Sequence, residues 1–123
     1  MAVYQPGERA SFEAAADLST KRFHIVKLNS DRKLVLATAG TDAIVGVLDS
    51  DAKLGHTADV VLVNGTGSFK VKAGGNIAAD ALITTDGNGQ AVTATTGDRV
   101  IGRARYAAVT GEIFEYFKFN EKA

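Results

Sequence analysis

The chain has 123 residues, a size that allows one domain with an apolar core but leaves no room for a separate cofactor domain. Its 14 basic and 14 acidic residues cancel, which argues against binding to nucleic acid or to an anionic membrane by bulk charge. The absence of cysteine excludes disulfides and cysteine-based zinc sites. We find no apolar run near the ~18 residues of a membrane span and no signal-peptide pattern, so we expect a soluble protein.

The first segment is predicted to be an extended N-terminal arm, residues 1–20. Pro6 and Gly7 suit a type II turn, and the residues around them supply little apolar surface for a core. Residues 11–22 have an alanine-rich middle but no apolar stripe, so we expect an irregular lead-in and not a stable helix. The globular domain is therefore predicted to span residues 21–123.

Short β-strands joined by glycine turns are predicted beyond the arm. Thirteen glycines against one proline, with short runs of Val, Ala and Thr, favour an all-β fold. The candidate strands read RFHIVKL, KLVLAT, AIVGVL, ADVVLV and GSFKVKAG. The last of these alternates strictly, which predicts one buried face with Phe69, Val71 and Ala73 and one solvated face.

One β unit occurs twice. Residues 37–55, ATAGTDAIVGVLDSDAKLG, align with residues 94–111, ATTGDRVIGRARYAAVTG. The shared skeleton is an aspartate and two glycines at the same spacing: Asp42, Gly46 and Gly55 in one copy, Asp98, Gly102 and Gly111 in the other. One unit cannot bury its apolar face alone, whereas two can close on each other. We therefore predict a small β-barrel or β-tulip-like domain built from two related units, with Gly46 and Gly102 at bends.

The polar residues do not form a recognisable chemical site. Asp49 and Asp51 could suggest a metal pair, but a hard cation needs further oxygen ligands that this segment lacks, and the second copy has arginine and alanine there. Neither His24 nor His56 lies near a triad-like set of residues. We predict no catalytic residue, no metal ligand and no cofactor, and therefore no enzyme.

The last strand, IFEYFKF, is apolar on both faces. Phe114 and Tyr116 are predicted on one face, Phe117 and Phe119 on the other. Either both faces are buried within the monomer or one meets a partner subunit. Aromatic residues on a small barrel could also bind single-stranded nucleic acid, but the acidic residues nearby make the charge mixed. A small β-barrel module that binds a ligand or single-stranded nucleic acid therefore stays as the alternative function.

The segment from Phe69 to Phe119 resembles the capsid decoration, or cement, proteins of tailed bacteriophages. The resemblance lies in a glycine turn, a "DAL" strand, an Asp-x-x-Gly hairpin, a "G-x-A" strand and a closing strand. The matching positions are Ala73, Gly74, Ile77, Asp80, Ala81, Leu82, Asp86, Gly89, Ala94, Gly102, Ala104, Ala108 and Gly111. Ala79 departs from the expected glycine, and residues 46–55 match more loosely.

The resemblance implies a structural protein that binds the outside of the assembled phage head. It implies a homotrimer that stabilises contacts between major capsid protein subunits, with no nucleic-acid or membrane partner. The expected location is the exterior of the virion, after synthesis in the cytoplasm of the bacterial host. The candidate contacts to the capsid or to other subunits are Val3, Tyr4, Pro6, Phe12, Phe114, Tyr116, Phe117 and Phe119.

Overall fold

The computed structural model describes residues 9–64 and 67–122, with side chains described as far as residue 118. Ten strands and no helix lie within these residues, so the part of the chain that is described contains no helix able to cross a membrane. The strands are β1 (Arg9–Glu13), β2 (Ile25–Leu28), β3 (Leu34–Leu36), β4 (Ile44–Leu48), β5 (Thr57–Leu62), β6 (Ser68–Lys72), β7 (Leu82–Thr85), β8 (Ala91–Thr93), β9 (Arg99–Ala104) and β10 (Ile113–Lys122).

The strands form two antiparallel sheets with the same topology. The first sheet has the order β1-β5-β4-β2-β3 and the second β6-β10-β9-β7-β8, so each strand of the second sheet lies five places after its counterpart. We call residues 9–64 the first half and residues 67–122 the second half. The predicted all-β fold and its origin in two related units are confirmed. The two sheets are not closed into a barrel, because the strands of each half hydrogen-bond among themselves.

Residues 9–13, which fall within the predicted arm, form an edge strand of the first sheet. Strand β1 pairs with β5 along its whole length, from the pair Arg9 and Val61 to the pair Glu13 and Thr57. Leu18, a little further on, is buried and bridges to Ala52. The strand was missed because RASFE has only Ala10 and Phe12 as apolar residues, too few for a recognisable alternating pattern. Residues 1–8 of the predicted arm lie outside the described residues.

The repeated glycines meet two different backbone requirements. A Cβ atom on Gly46 would lie 2.2 Å from the carbonyl oxygen of Val61, and one on Gly102 would lie 2.0 Å from that of Phe117. These glycines therefore allow the close approach of the neighbouring strand, and not only the bend that the sequence predicts. Gly55 and Gly111 adopt φ angles of 84° and 90°, a region that glycine enters without steric cost.

Turns outside the strands are repeated as well. The carboxylate of Asp42 accepts hydrogen bonds from the backbone and hydroxyl of Thr38, and Asp98 accepts the same pair from Thr95. These side chains hold equivalent turns before β4 and β9, as aspartates commonly do. Phe23 and Asp80, which precede β2 and β7, both have positive φ angles, 69° and 66°. The duplication thus extends to conformations that L side chains rarely adopt.

Each half has its own apolar core on the inner face of its sheet. The first core contains eight buried residues, Ala14, Leu18, Val26, Leu34, Leu48, Ala52, Ala58 and Val60. The second core contains a residue at each equivalent position, Ala73, Ile77, Ile83, Ala91, Ala104, Ala108, Phe114 and Tyr116. The burial of apolar side chains in both halves is the main stabilising contribution to the fold.

The two halves pack asymmetrically. Ile25, Ala37, Val47 and Val63 of the first half belong to the same hydrophobic cluster as the second core. Ile25 and Val47 alternate with the inner residues of β2 and β4 and therefore lie on the outer face of the first sheet. Ala37 and Val63 directly follow β3 and β5 and pack on the same side. Backbone hydrogen bonds join the halves at the edges of this contact, including one of 2.6 Å from Ile25 N to Gly89 O. The outer face of the first half thus covers the inner face of the second.

Candidate functional site

The two faces of β10 differ in solvent exposure, which decides which residues can contact a partner. Phe114 and Tyr116 point inward and are each 1% exposed, so these two candidate contact residues fill the second core. Phe117 points outward and is 45% exposed. The sequence left open whether both faces of this strand are buried within the monomer or one face meets a partner subunit. In the structure the inner face is buried within the chain. The outer face remains available to a partner.

The other candidate contact residues are distributed differently. Phe12 lies on β1 with its side chain half-buried against the first core, where it still offers apolar surface. Val3, Tyr4 and Pro6 lie outside the described residues. Phe119 belongs to β10, but its side chain is not among those described. The structure therefore offers Phe12 and Phe117 as described candidates that reach the surface.

A cleft lies at the start of β10, between residues of the second half and Phe23 of the first half. It has a volume of about 430 Å³ and is lined by Phe23, Lys70, Tyr106, Ile113, Phe114 and Glu115. Tyr106 and Ile113 are each about half exposed. The cleft thus combines aromatic and aliphatic walls with one side chain of each charge, a mixture typical of protein contact surfaces. We call these residues the Tyr106–Ile113 cleft.

Glu115 is held in place in this cleft by hydrogen bonds to two elements. Its carboxylate accepts hydrogen bonds of 2.6 Å from the Ser68 hydroxyl and 2.6 Å from the Arg105 guanidinium. These bonds, first that from Ser68 and then that from Arg105, hold the pKa of Glu115 below its ordinary value. The backbone N–H of Glu115 also donates to the hydroxyl of Tyr106 at 3.4 Å. The carboxylate is therefore engaged in structure and is not poised for acid or base chemistry.

Sequence reasoning missed the other exposed apolar residues of this region. Tyr106, Val109 and Ile113 are 49%, 56% and 50% exposed. Ile113 could have been found, because strand alternation puts it on the same face as Phe117. Tyr106 and Val109 lie in the loop between β9 and β10, where the sequence carries no periodic pattern. Sequence inspection had no signal for them.

The two aspartates Asp49 and Asp51 of the first half both contact arginine residues. Asp49 contacts the guanidinium groups of Arg9 and Arg22, the latter at 3.1 Å. Asp51 accepts a hydrogen bond of 3.2 Å from the backbone N–H of Arg22. Both aspartates therefore hold Arg22, in the segment before β2, against the residues that follow β4. These contacts give the two aspartates a structural role.

The histidines are also apart from any cluster of ligands. His24 is 3% exposed, and burial lowers the pKa of its imidazole, while Nδ1 lies 3.3 Å from the carbonyl oxygen of Arg22. His56 lies on an exposed turn. Within residues 9–64 and 67–122, no three His, Asp or Glu side chains are grouped in a way that could hold a metal ion.

Comparison with known proteins identifies the family. The sequence profile of the family described as "Phage cement protein" matches residues 4–114, nearly the whole chain. No curated protein matches significantly in sequence. Among solved structures, the chain is similar to the N base of the head fiber gp8.5 of bacteriophage phi29, with a TM-score of 0.70 and 20% identity, covering 94% of this chain and 96% of that chain. At 20% identity the structural match is evidence for a shared fold alone. The family match confirms the resemblance seen in the sequence: this chain belongs to the phage cement proteins, structural components associated with the phage head.

Proposed function

We propose that this cement protein binds the outer surface of the assembled head as a homotrimer and strengthens the contacts between major capsid protein subunits. It acts by burying surface between neighbouring shell subunits, which adds binding free energy to the assembled shell and none to free capsid subunits. Its role is structural and not catalytic. It is made in the cytoplasm of the bacterial host and ends on the virion exterior.

One observation carries the proposal beyond family membership, namely the Tyr106–Ile113 cleft. Monomeric soluble proteins rarely expose grouped large apolar side chains without a partner. Here Tyr106 and Ile113 border a cleft that also presents Lys70 and Glu115. A surface of this composition suits a protein partner. Its aromatic side chains can be buried at a contact, and its two charged side chains, Lys70 and Glu115, can fix the orientation of the partner. We assign the cleft to the shell contact, together with Val3, Tyr4 and Pro6 near the start of the chain.

The experiment measures decoration of expanded heads of the phage that encodes this protein. The purified wild-type protein is expected to bind in a fixed ratio to capsid subunits and to raise the temperature at which the heads lose their contents. A variant with Tyr106→Ala and Ile113→Ser is expected to bind at least tenfold more weakly, because it removes the apolar walls of the cleft. Failure of the wild-type protein to bind such heads would overturn the proposal.

A matched control separates loss of contact from loss of fold. Leu54→Ser also removes an exposed apolar side chain, one that is 64% exposed but lies in the first half, away from the cleft. It is expected to bind heads like the wild type. All variants should melt within a few degrees of the wild type. Removal of residues 1–8 alone, which leaves β1 intact, should weaken head binding with the same small effect on melting.

A further inference from the structure

We infer that copies of this chain associate head to tail, through surfaces that repeat the packing between the two halves of one chain. The outer face of the second half in one copy docks on the inner face of the first half in the next. This inference rests on the proposed trimer, to which it adds the identity of the two surfaces. A second copy of the chain is the occupant of both surfaces.

The first surface, the donor face, is the outer face of the second sheet. Leu82 and Ala94 on this face occupy the positions of Ile25 and Ala37, which pack on the second core. Phe117 occupies the position of Val61, which lies beside Val47 on the same outer face. Val61 is 4% exposed, whereas Phe117 at the equivalent position is 45% exposed. Leu82 and Ala94 are half-buried, whereas their counterparts in the first half have no exposed surface. The donor face therefore carries three apolar residues that cover no other sheet within the described part of the chain.

The second surface, the acceptor face, is the inner face of the first sheet. Apolar residues at its rim pack against the first core but stay partly exposed, namely Phe12, Leu28, Leu36, Val45 and Leu62. Four of their five counterparts in the second half are buried, whereas Thr93, the counterpart of Leu36, is exposed. Val71 and Ile101, the counterparts of Phe12 and Val45, have no exposed surface. Thr85, the counterpart of Leu28, is 3% exposed.

The exposure of the donor face and the exposure of the acceptor face have one common explanation. Among the described residues, one outer face meets one inner face, while the other outer face and the other inner face keep exposed apolar side chains. A contact between two unlike surfaces is heterologous, and repetition of such a contact gives a closed ring or a filament. A ring leaves no unpartnered surface. The one position that changes character is Arg103, which stands where the first half has Val47, so the contact between copies includes a charged side chain that the internal contact lacks.

The geometry of β10 keeps this contact apart from the proposed shell contact. Ile113 and Phe117 share the outer face but are separated by four residues, or about 13 Å along a strand. Glu115 lies between them, held by Ser68 and Arg105. The start of the strand therefore borders the cleft, and its middle carries Phe117 of the donor face. Both surfaces can be occupied in the same assembled protein.

The test uses the full-length free protein, in the absence of heads, and measures mass by light scattering. The wild type is expected to have the mass of a trimer of 12.8 kDa chains. Phe117→Glu breaks the donor face and Phe12→Glu breaks the acceptor face, so each variant alone is expected to be a monomer. An equal mixture of the two retains one intact donor face and one intact acceptor face and is expected to form dimers. A symmetric contact, in which one surface meets itself, does not predict this recovery.

Controls keep the result interpretable. Leu54→Glu adds the same charge at an exposed apolar residue outside both faces and should leave the trimer intact. Each variant must keep the wild-type circular dichroism spectrum, and Leu28→Glu replaces Phe12→Glu if the latter does not fold. A monomeric wild type, a trimeric Phe117→Glu variant, or a mixture of two folded variants that stays monomeric would overturn the inference. A chain that lacks residues 1–8 should remain trimeric, and its loss of the trimer would show that those residues, and not the donor face, hold the copies together.

The outcome is independent of the proposed shell contact. A monomeric wild type that still decorates heads would refute the head-to-tail contact and leave the proposed function intact. A trimer that behaves as predicted but does not bind heads would refute the proposed function and leave the contact intact.

Discussion

The first and second halves of this protein share a framework but expose opposite faces. Strand order, two turn aspartates and two pairs of glycines are repeated at equivalent positions. The outer face is covered in the first half and open in the second, as Val61 and Phe117 show. Duplication has therefore preserved what is needed for each sheet to form, while the position of a half in the chain decides which surfaces remain free.

The strongest test of the shared framework concerns the glycines at close strand contacts. We expect Gly46→Ala and Gly102→Ala each to cost about 3 kcal/mol or more, because the new Cβ would lie within 2.2 Å of a carbonyl oxygen on the neighbouring strand. Chemical denaturation measures the loss. Gly75→Ala is the matched control, since its Cβ would meet its nearest atom at 3.6 Å, and it should change stability little. A large loss in one half alone would show that the two contacts are not equivalent.

A smaller effect is expected at the turn aspartates. Asp42→Asn should destabilise by about 2 kcal/mol and Asp98→Asn by about 1 kcal/mol, because Asp42 accepts one more backbone hydrogen bond, from Ala39, and also pairs with Lys27. Equal losses, or a larger loss for Asp98→Asn, would contradict this ranking.

The aspartate turns also predict a dependence on pH. Burial raises the pKa of Asp42, but hydrogen bonds from Thr38, Lys27 and Ala39 outweigh it and leave the pKa below its ordinary value. The stabilisation is therefore present above pH ~4 and is lost as the pH falls through the lowered pKa. Urea denaturation between pH 6 and the acid range measures it. Asp42→Asn should lose less stability on acidification than the wild type does, and an unchanged acid sensitivity would contradict the assignment.

The smallest change in stability is expected at an inner position that differs between the halves, where the second half has Tyr116 and the first has Val60. The Tyr116 hydroxyl is buried and has no hydrogen-bond partner among the described residues. Tyr116→Phe removes this polar atom and should be neutral or stabilise by up to about 1 kcal/mol. Thermal denaturation measures the change, and a clear destabilisation would show that the hydroxyl has a partner.

Tyr116 also predicts behaviour at high pH. Burial raises the pKa of its phenol, so the folded state favours the protonated form. Stability should fall as the pH rises above about 10, where the unfolded phenol ionises. Tyr116→Phe should reduce this fall, and chemical denaturation at neutral and alkaline pH measures it. An unchanged fall in the Tyr116→Phe variant would contradict the role of burial.

The sequence was informative where the chain repeats itself and uninformative where one half meets the other. The spacing of Gly46 and Gly102 predicts two related β units, and alternation in GSFKVKAG predicts its wet and buried faces. The short strand β1 was missed, because its pairing with β5 is a long-range contact that leaves little local pattern.

The burial difference between Val61 and Phe117 could not be predicted at all. Both residues are apolar and both lie on the outer face of an equivalent strand. Only the placement of one sheet on the other decides which of them is covered. The same limitation explains why a barrel was predicted where two separate sheets occur, and why Phe114 and Tyr116 were expected at contacts when they fill the core.

Electron cryo-microscopy of heads decorated with this protein shows directly whether it forms a head-to-tail trimer on the outer surface. We predict density on the outer surface in groups of three, with the Phe117 side of each copy against the Phe12 side of the next and the Tyr106–Ile113 cleft toward the capsid protein. Density on the inner surface, or isolated single copies on the shell, would contradict this prediction.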